Sequence, residues 1–388
     1  MAHTLLWVGS GSKQEHIERI AKRLPAWSLA TATSYDEAKA TWPTDGVTVA
    51  VSEPTNGTDA GFLDWVRERY PATGRLLVVT DPRRTAALAA TTAAQQVMLA
   101  TASDDVLAAT ISRMSTLREL TANPAIHRVV GNLDRLPSVP RVYTQLTRAT
   151  ESASAGAADI ARIIETDPGM SVKVLQLANS AFFGLTRRMT SIRGAVIVLG
   201  LEVLKALVLS SHVISSLGPP SRHFSLERFQ ASSLRIARIV RRFLPDRADD
   251  AFAAGLLHDI GRMIIGLRLP HEYTRINELA AATEQPLHEI ERECLGITHG
   301  AIGAFLLALW GVPFGVVEAV AFHSDPSAIT DGDRTLLVAV HAAEALHDIQ
   351  TQNAPDERLD MKAIEAANFG PMLPVWRSIV AAEAAAMS

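Results

Sequence analysis

The apolar residues of this chain change their rhythm once, at Thr121-Ala122-Asn123-Pro124. Before that point short continuous apolar runs alternate with helix-like spacing; after it only helix-like spacing occurs. No single fold class accommodates both patterns, so the change predicts two domains of unlike architecture. Pro124 disfavours helix at the residue before it, which makes 121–126 the linker. The boundaries that follow are an α/β domain over 1–120, an all-α domain over 127–350 and a looser helical tail over 351–388.

The upstream runs are Thr4–Val8, Val47–Val51, Leu76–Thr80 and Val97–Leu99, and the spacing of Ile17, Ile20 and Leu24 between the first two is helical. Continuous apolar strands separated by helices indicate a doubly wound parallel sheet covered on both faces. Ser103-Asp104-Asp105 reads as the N-cap of a helix carrying Val106, Leu107, Ile111, Met114 and Leu117. Downstream, helices are predicted over 133–150, 157–165, 169–180, 192–217, 226–243, 250–267, 272–282, 286–294 and 300–310.

A formal net charge of -4 shows no global basic excess of the kind that nucleic acid or an anionic membrane attracts. One cysteine, Cys294, excludes a disulfide framework or a Cys-rich metal site and suits a reducing, cytoplasmic setting. The first residues lack the basic and long apolar regions of a secretory signal. The most apolar stretch, 194–217, is interrupted by Glu202, Lys205 and His212 and is expected to be one buried amphipathic helix, not a membrane span. Gly9-Ser10-Gly11-Ser12 lacks the Lys and the length of a phosphate loop, and neither a nucleophile elbow nor a DNA-reading helix is recognisable.

The order and spacing of the first 120 residues resemble the receiver domain of bacterial response regulators. That resemblance places Gly9 and Ser10 where the family has an acidic pair, Ser52 and Glu53 where it has the phosphorylated Asp, Thr80 where it has Thr or Ser, and Ala100 near its Lys. Phosphoryl transfer to a carboxylate needs oxygen ligands for Mg²⁺ and a cation for the developing charge. Only Thr80 fits, so the expectation is a pseudo-receiver that keeps the fold without the chemistry. Glu53 is read either as a solvated surface group or as a permanent mimic of phospho-Asp.

Two further stretches run from Asp167-Pro168-Gly169-Met170 to Phe183-Gly184, with Leu199-Gly200 beyond, and from Gly255-Leu256-Leu257-His258-Asp259-Ile260-Gly261 to Leu295-Gly296-Ile297-Thr298-His299, Trp310-Gly311-Val312-Pro313 and His323. Together they resemble the HDOD domain, a relative of HD-type metal-dependent phosphohydrolases. The resemblance implies a site of His258, Asp259, His299 and His323, with Glu344 near the closing Asp, and a divalent metal (Mn, Fe, Zn or Mg) if that site is occupied. It also implies two losses: Ser232 and Ser324 stand where the related enzymes have histidines, and serine is a poor ligand at neutral pH. Asp259 falls on an apolar face with Phe252, Leu256 and Met263, so it must be paired, protonated or metal-bound.

Arg235, Arg238, Arg241 and Arg242 recur on one face of the 226–243 helix, as an anion site or a salt-bridged surface. Arg187, Arg188 and Arg193 add to a basic surface if the fold gathers them. Three readings stand: a non-catalytic signalling module with a protein partner and no cofactor, a phosphohydrolase acting on a nucleotide or cyclic dinucleotide, and a nucleotide sensor without hydrolysis. A homodimer is compatible with each.

Overall fold

The computed structural model describes residues 3–9, 14–53, 61–70, 73–80, 94–121, 123, 125–130, 141–151, 156–167, 170–171, 174–175, 190–216, 224–310, 312–329, 333–352 and 354–385. The chain divides into two compact units, Met1–Asn123 with Leu307–Phe314, and Pro124–Leu306 with Gly315–Ser388.

The first unit is a five-stranded parallel sheet. Strands β1 (His3–Gly9), β2 (Trp27–Ala32), β3 (Val49–Glu53), β4 (Gly74–Val79) and β5 (Gln96–Leu99) lie in the order β2-β1-β3-β4-β5. Register is fixed by pairs such as Leu6↔Ala50 and Val51↔Leu76. Helices α1 (Gln14–Lys22), α2 (Tyr35–Ala40) and α3 (Gly61–Arg69) alternate with β1 to β4, and α4 (Asp104–Thr121) follows β5. Leu6, Val8, Ala50, Phe62, Leu63, Val66 and Leu77 form one buried cluster. The strands β1, β3 and β4 read as apolar runs because both their faces are covered. Strand β2 was not expected: it lies at the sheet edge, and Ser28, Leu29 and Thr31 are exposed, which breaks the run. At the start of α4, Ser103 Oγ accepts from the Val106 N–H, and Asp104 receives Arg19 Nε at 2.9 Å and His16 Nε2 at 3.2 Å.

The second unit is helical. Its first helices are α5 (Ala125–Val130), α6 (Arg141–Glu151), α7 (Ala157–Glu165), α8 (Ile192–Leu199) and α9 (Leu201–Ser216). Then come α10 (Leu226–Phe243), α11 (Ala248–Leu257), α12 (Ile260–Arg268), α13 (Pro270–Thr283), α14 (Leu287–Leu295), α15 (His299–Leu309), α16 (Phe314–Phe322) and α17 (Thr335–Gln352). Two more, α18 (Met361–Ala366) and α19 (Leu373–Ala385), end the chain. The helix expected over 169–180 falls largely outside the described residues.

Two predicted helices are each two. The 192–217 helix breaks at Gly200, whose φ of 83° a residue with a Cβ rarely adopts. The 250–267 helix breaks at His258-Asp259, between α11 and α12. Asp259 therefore sits at a junction and not on the apolar face of a continuous helix. The C-terminal tail is also tighter than expected. Trp376 of α19 is buried and stacks on Phe243 of α10 with centroids 4.3 Å apart. Buried Glu383 pairs with Arg238 at 3.0 Å and Arg242 at 2.9 Å. Among the described residues no helix is long and apolar enough to cross a membrane.

Candidate functional site

Glycines bring the site's backbone together. A Cβ built on Gly261 of α12 would lie 1.9 Å from the His299 carbonyl oxygen, so only glycine allows α12 and α15 to approach this closely. Gly296 ends α14 at a φ of 74°, which turns the chain so that His299 opens α15. Glu291 of α14 is buried and accepts from both the His299 backbone N–H at 2.8 Å and its Nδ1–H at 2.6 Å.

Two more imidazoles are anchored by main chain. His258 Nδ1 donates to the Gly255 carbonyl at 2.8 Å, and His323 Nδ1 donates to the Val320 carbonyl at 2.9 Å. In all three rings Nδ1 carries a proton, so Nε2 is the face presented to the centre. There Asp259 Oδ1 lies 3.3 Å from His299 Nε2 and 3.8 Å from His323 Nε2, while Oδ2 lies 3.7 Å from His258 Nε2. Glu344 of α17 joins through Oε2, 3.7 Å from His323 Nε2. The five residues expected at the site are thus gathered.

The electrostatics are those of a buried, mutually compensated group. Burial alone would push the Asp259 carboxyl up, but Arg262 and then His258 hold it well below the usual carboxylate range. Burial pulls His299 down, yet Glu291 outweighs it and the imidazole stays protonated above its ordinary range. His258 is lowered, chiefly by burial. His299 Nε2 and His323 Nε2 are 3.1 Å apart. Two imidazole lone pairs cannot face each other at that distance, so a positive charge must lie between them, either a proton or a metal ion.

A divalent ion fits the donor set in part. Ligand atoms of Asp259, His299 and His323 lie within 4.8 Å of one another, and buried Asp259 Oδ1 accepts no hydrogen bond. Two imidazoles and a carboxylate would hold Mn²⁺, Fe²⁺ or Zn²⁺, which would supply a Lewis acid there. Against this, Arg262 places its guanidinium 3.3 Å from Asp259 Oδ2 and is fixed on its far side by Asn277. Ser324 contributes only a hydroxyl, 3.4 Å from His299 Nε2. Ser232 is exposed; one residue on, Ser233 turns inward with Leu234 and Ile236.

The arginine face is largely committed: Arg238 and Arg242 hold Glu383, and Arg235 Nη1 donates to His347 Nε2 at 3.0 Å. Arg241 is half-buried and Arg193 exposed, while Arg187 and Arg188 lie outside the described residues. In the sheet unit, Glu53 is buried and accepts from Trp7 Nε1 at 3.4 Å, which corrects its reading as a solvated group. Ser52 is buried beside Tyr35, Gly9 packs on the Glu53 carbonyl, Thr80 is exposed and Ala100 half-buried. Ser10 lies outside the described residues.

Sequence reasoning missed Glu291, Arg262 and the polar neighbours of Glu344 on α17, where His341, Glu344 and His347 recur every three residues and Asp348 lies four after Glu344. His341 is buried, accepts from the Asp360 N–H at 2.9 Å, and so donates through Nδ1 to the His323 carbonyl at 2.8 Å. The period-3.6 spacing of these polar residues on an otherwise apolar helix was the available signal. His347 is pushed down to about 4 by burial and then by Arg235. A base lowered by folding stabilises fully above its ordinary value of 6.5 and loses that contribution as pH falls toward the folded value. His347→Gln keeps an acceptor for Arg235 and cannot charge. Its melting temperature should therefore fall less than that of the unaltered chain between pH 7 and 5, measured by circular dichroism; parallel curves would rule this out.

The HDOD domain family model matches residues 136–326. Among curated proteins, an uncharacterized protein of Treponema pallidum (strain Nichols) is 26% identical over 223 residues, 55% of this chain and 43% of that one. The chain thus spans less than half the length of that relative. Among solved structures, a provisionally named phosphohydrolase from Shewanella amazonensis SB2B is 24% identical, with a TM-score of 0.52 over 67% of this chain and 94% of that one. An HDOD domain protein of unknown function from Geobacter sulfurreducens is 20% identical, with a TM-score of 0.51 over 68% and 96%. At these identities the likeness is one of fold.

Proposed function

With residues 136–326 an HDOD domain, we propose that the chain is a non-catalytic signal-transduction protein. In this reading residues 1–120 are a pseudo-receiver that cannot be phosphorylated, and residues 127–350 bind a protein partner. The observation that carries it is the 3.1 Å contact between His299 Nε2 and His323 Nε2 beside Asp259, which in this reading a proton on His299 closes. That proton does what a metal ion would do, and Arg262 already neutralises the other oxygen of Asp259. Buried Glu53, held by Trp7, supports the same view of the sheet unit: the group nearest the phospho-acceptor position is engaged in packing.

The test is metal content by mass spectrometry, before and after incubation with Mn²⁺, Fe²⁺ or Zn²⁺ and desalting, with Asp259→Ala as control. The expected result is well below about one ion per chain in both proteins. About one or two ions per chain, lost in the control, would overturn the reading. It would favour a metal-dependent phosphohydrolase acting on a nucleotide or cyclic dinucleotide, the second reading, which rests on the Asp259 carboxylate and the three Nε2 atoms around it, with Oδ1 left without a hydrogen bond.

A further inference from the structure

After α17 the chain makes one short turn, Asp356–Arg358, before α18. From it Arg358 reaches back to the rim of the histidine cluster. Its Nη2 lies 2.7 Å from Asp348 Oδ2 and 3.5 Å from Glu344 Oε1. Glu344 thereby divides its two oxygens, Oε2 toward His323 in the core and Oε1 toward Arg358 at the surface. The side chains differ in freedom: Arg358 is 41% exposed, whereas Glu344 and Asp348 are 19% and 13% exposed.

The turn itself is pinned independently of that guanidinium. Leu359 is buried, and the Asp360 N–H donates to His341 Nε2. The Asp360 carboxylate caps α18 through the Ala363 N–H at 3.0 Å and also accepts from Ser327. The Arg358 head group can therefore swing into solvent while the backbone that carries it stays in place.

Removing that one head group uncovers Glu344 Oε1, on a carboxylate whose Oε2 lies 3.7 Å from His323 Nε2 and so borders the donors of His323, His299 and Asp259. Carboxylate oxygens with imidazole nitrogens suit divalent ions of the Mn²⁺, Fe²⁺ or Zn²⁺ kind. We propose that Arg358 is an intramolecular cation that occupies the carboxylate rim of the histidine cluster and keeps divalent metal ions out of it. The inference rests on the proton-closed reading of the cluster and adds what holds it closed. Arg262 is pinned by Asn277 and belongs to the permanent charge balance, while Arg358 is the displaceable cation.

The test is Mn²⁺ titration followed by electron paramagnetic resonance of the free ion, on the full chain and on Arg358→Gln, Arg358→Lys and the Arg358→Gln/Asp259→Asn pair. Gln at 358 should tighten Mn²⁺ binding by at least about tenfold, because a dication no longer meets a like charge a few ångströms away. Lys at 358 should bind as the unaltered chain does, and the Asp259→Asn change should abolish the gain. Unchanged folding of each variant is read from circular dichroism. If neither the unaltered chain nor Arg358→Gln binds Mn²⁺, the inference about Arg358 fails while the proton-closed reading stands. If both bind one ion equally well, both fail.

Discussion

Replacing Asp259 by alanine should destabilise the helical unit by about 3–5 kcal/mol, the cost of removing one partner from a buried charge group. The carboxylate is the shared counter-charge for the partly exposed Arg262 and for the protonated, buried His299, and it stands beside the buried His258. For a domain of this size the melting temperature should fall roughly 6–20 °C, at about 2–4 °C per kcal/mol. Scanning calorimetry at neutral pH reads it directly. A loss below about 1 kcal/mol would mean that the histidines simply discharge when the carboxylate goes, and that the cluster contributes little to folding.

The second large effect should come from a methyl group. Gly261→Ala places a Cβ 1.9 Å from the His299 carbonyl oxygen, against backbone on both sides, where no side chain can rotate away. The helices α12 and α15 must separate, and overpacking of that kind costs about 3 kcal/mol or more. Because His299 opens α15, separation also moves its ring away from Asp259. The variant should show both a lower melting temperature and, by NMR, a His299 imidazole whose pKa drops back toward the ordinary histidine value. Since raised protonation of His299 stabilises the fold below its ordinary pKa and is lost as pH rises through the raised value, the deficit should be largest in mildly acidic solution. An unchanged His299 titration would show that the close approach does not position the ring.

The parts of the fold visible in the sequence are those where burial is uniform. Strands covered on both faces read as continuous runs, and Leu226–Phe243 matched its spacing because one face is apolar along its whole length. The edge strand Trp27–Ala32 was illegible for the opposite reason: its partner lies on one side only, and its residues answer to solvent. Breaks were missed at Gly200 and at His258-Asp259 because helical periodicity can carry across a junction when both segments bury the same side. In the site, His258, Asp259, His299, His323 and Glu344 were named from motif resemblance. Glu291 could not be, since it lies among Glu289, Arg292 and Glu293 and looks like any solvated helix face. Its role depends on the turn at Gly296 folding His299 back beside it. Ser232 is exposed on its helix while Ser233 is buried, since a single helical step is about 100° of rotation.

The orientation of His258, His323 and His341 is set by peptide carbonyls, those of Gly255, Val320 and His323. A carbonyl is supplied by any residue, so mutation of neighbouring side chains does not erase these anchors. The inward aim of the rings is in this sense a property of the main-chain path. Ser324, beside His299, can therefore be any residue that fits there without disturbing the arrangement of the imidazoles. Likeness of shape then leaves the chemistry open, and it has to be read from what stands beside the rings, here Arg262 and Arg358.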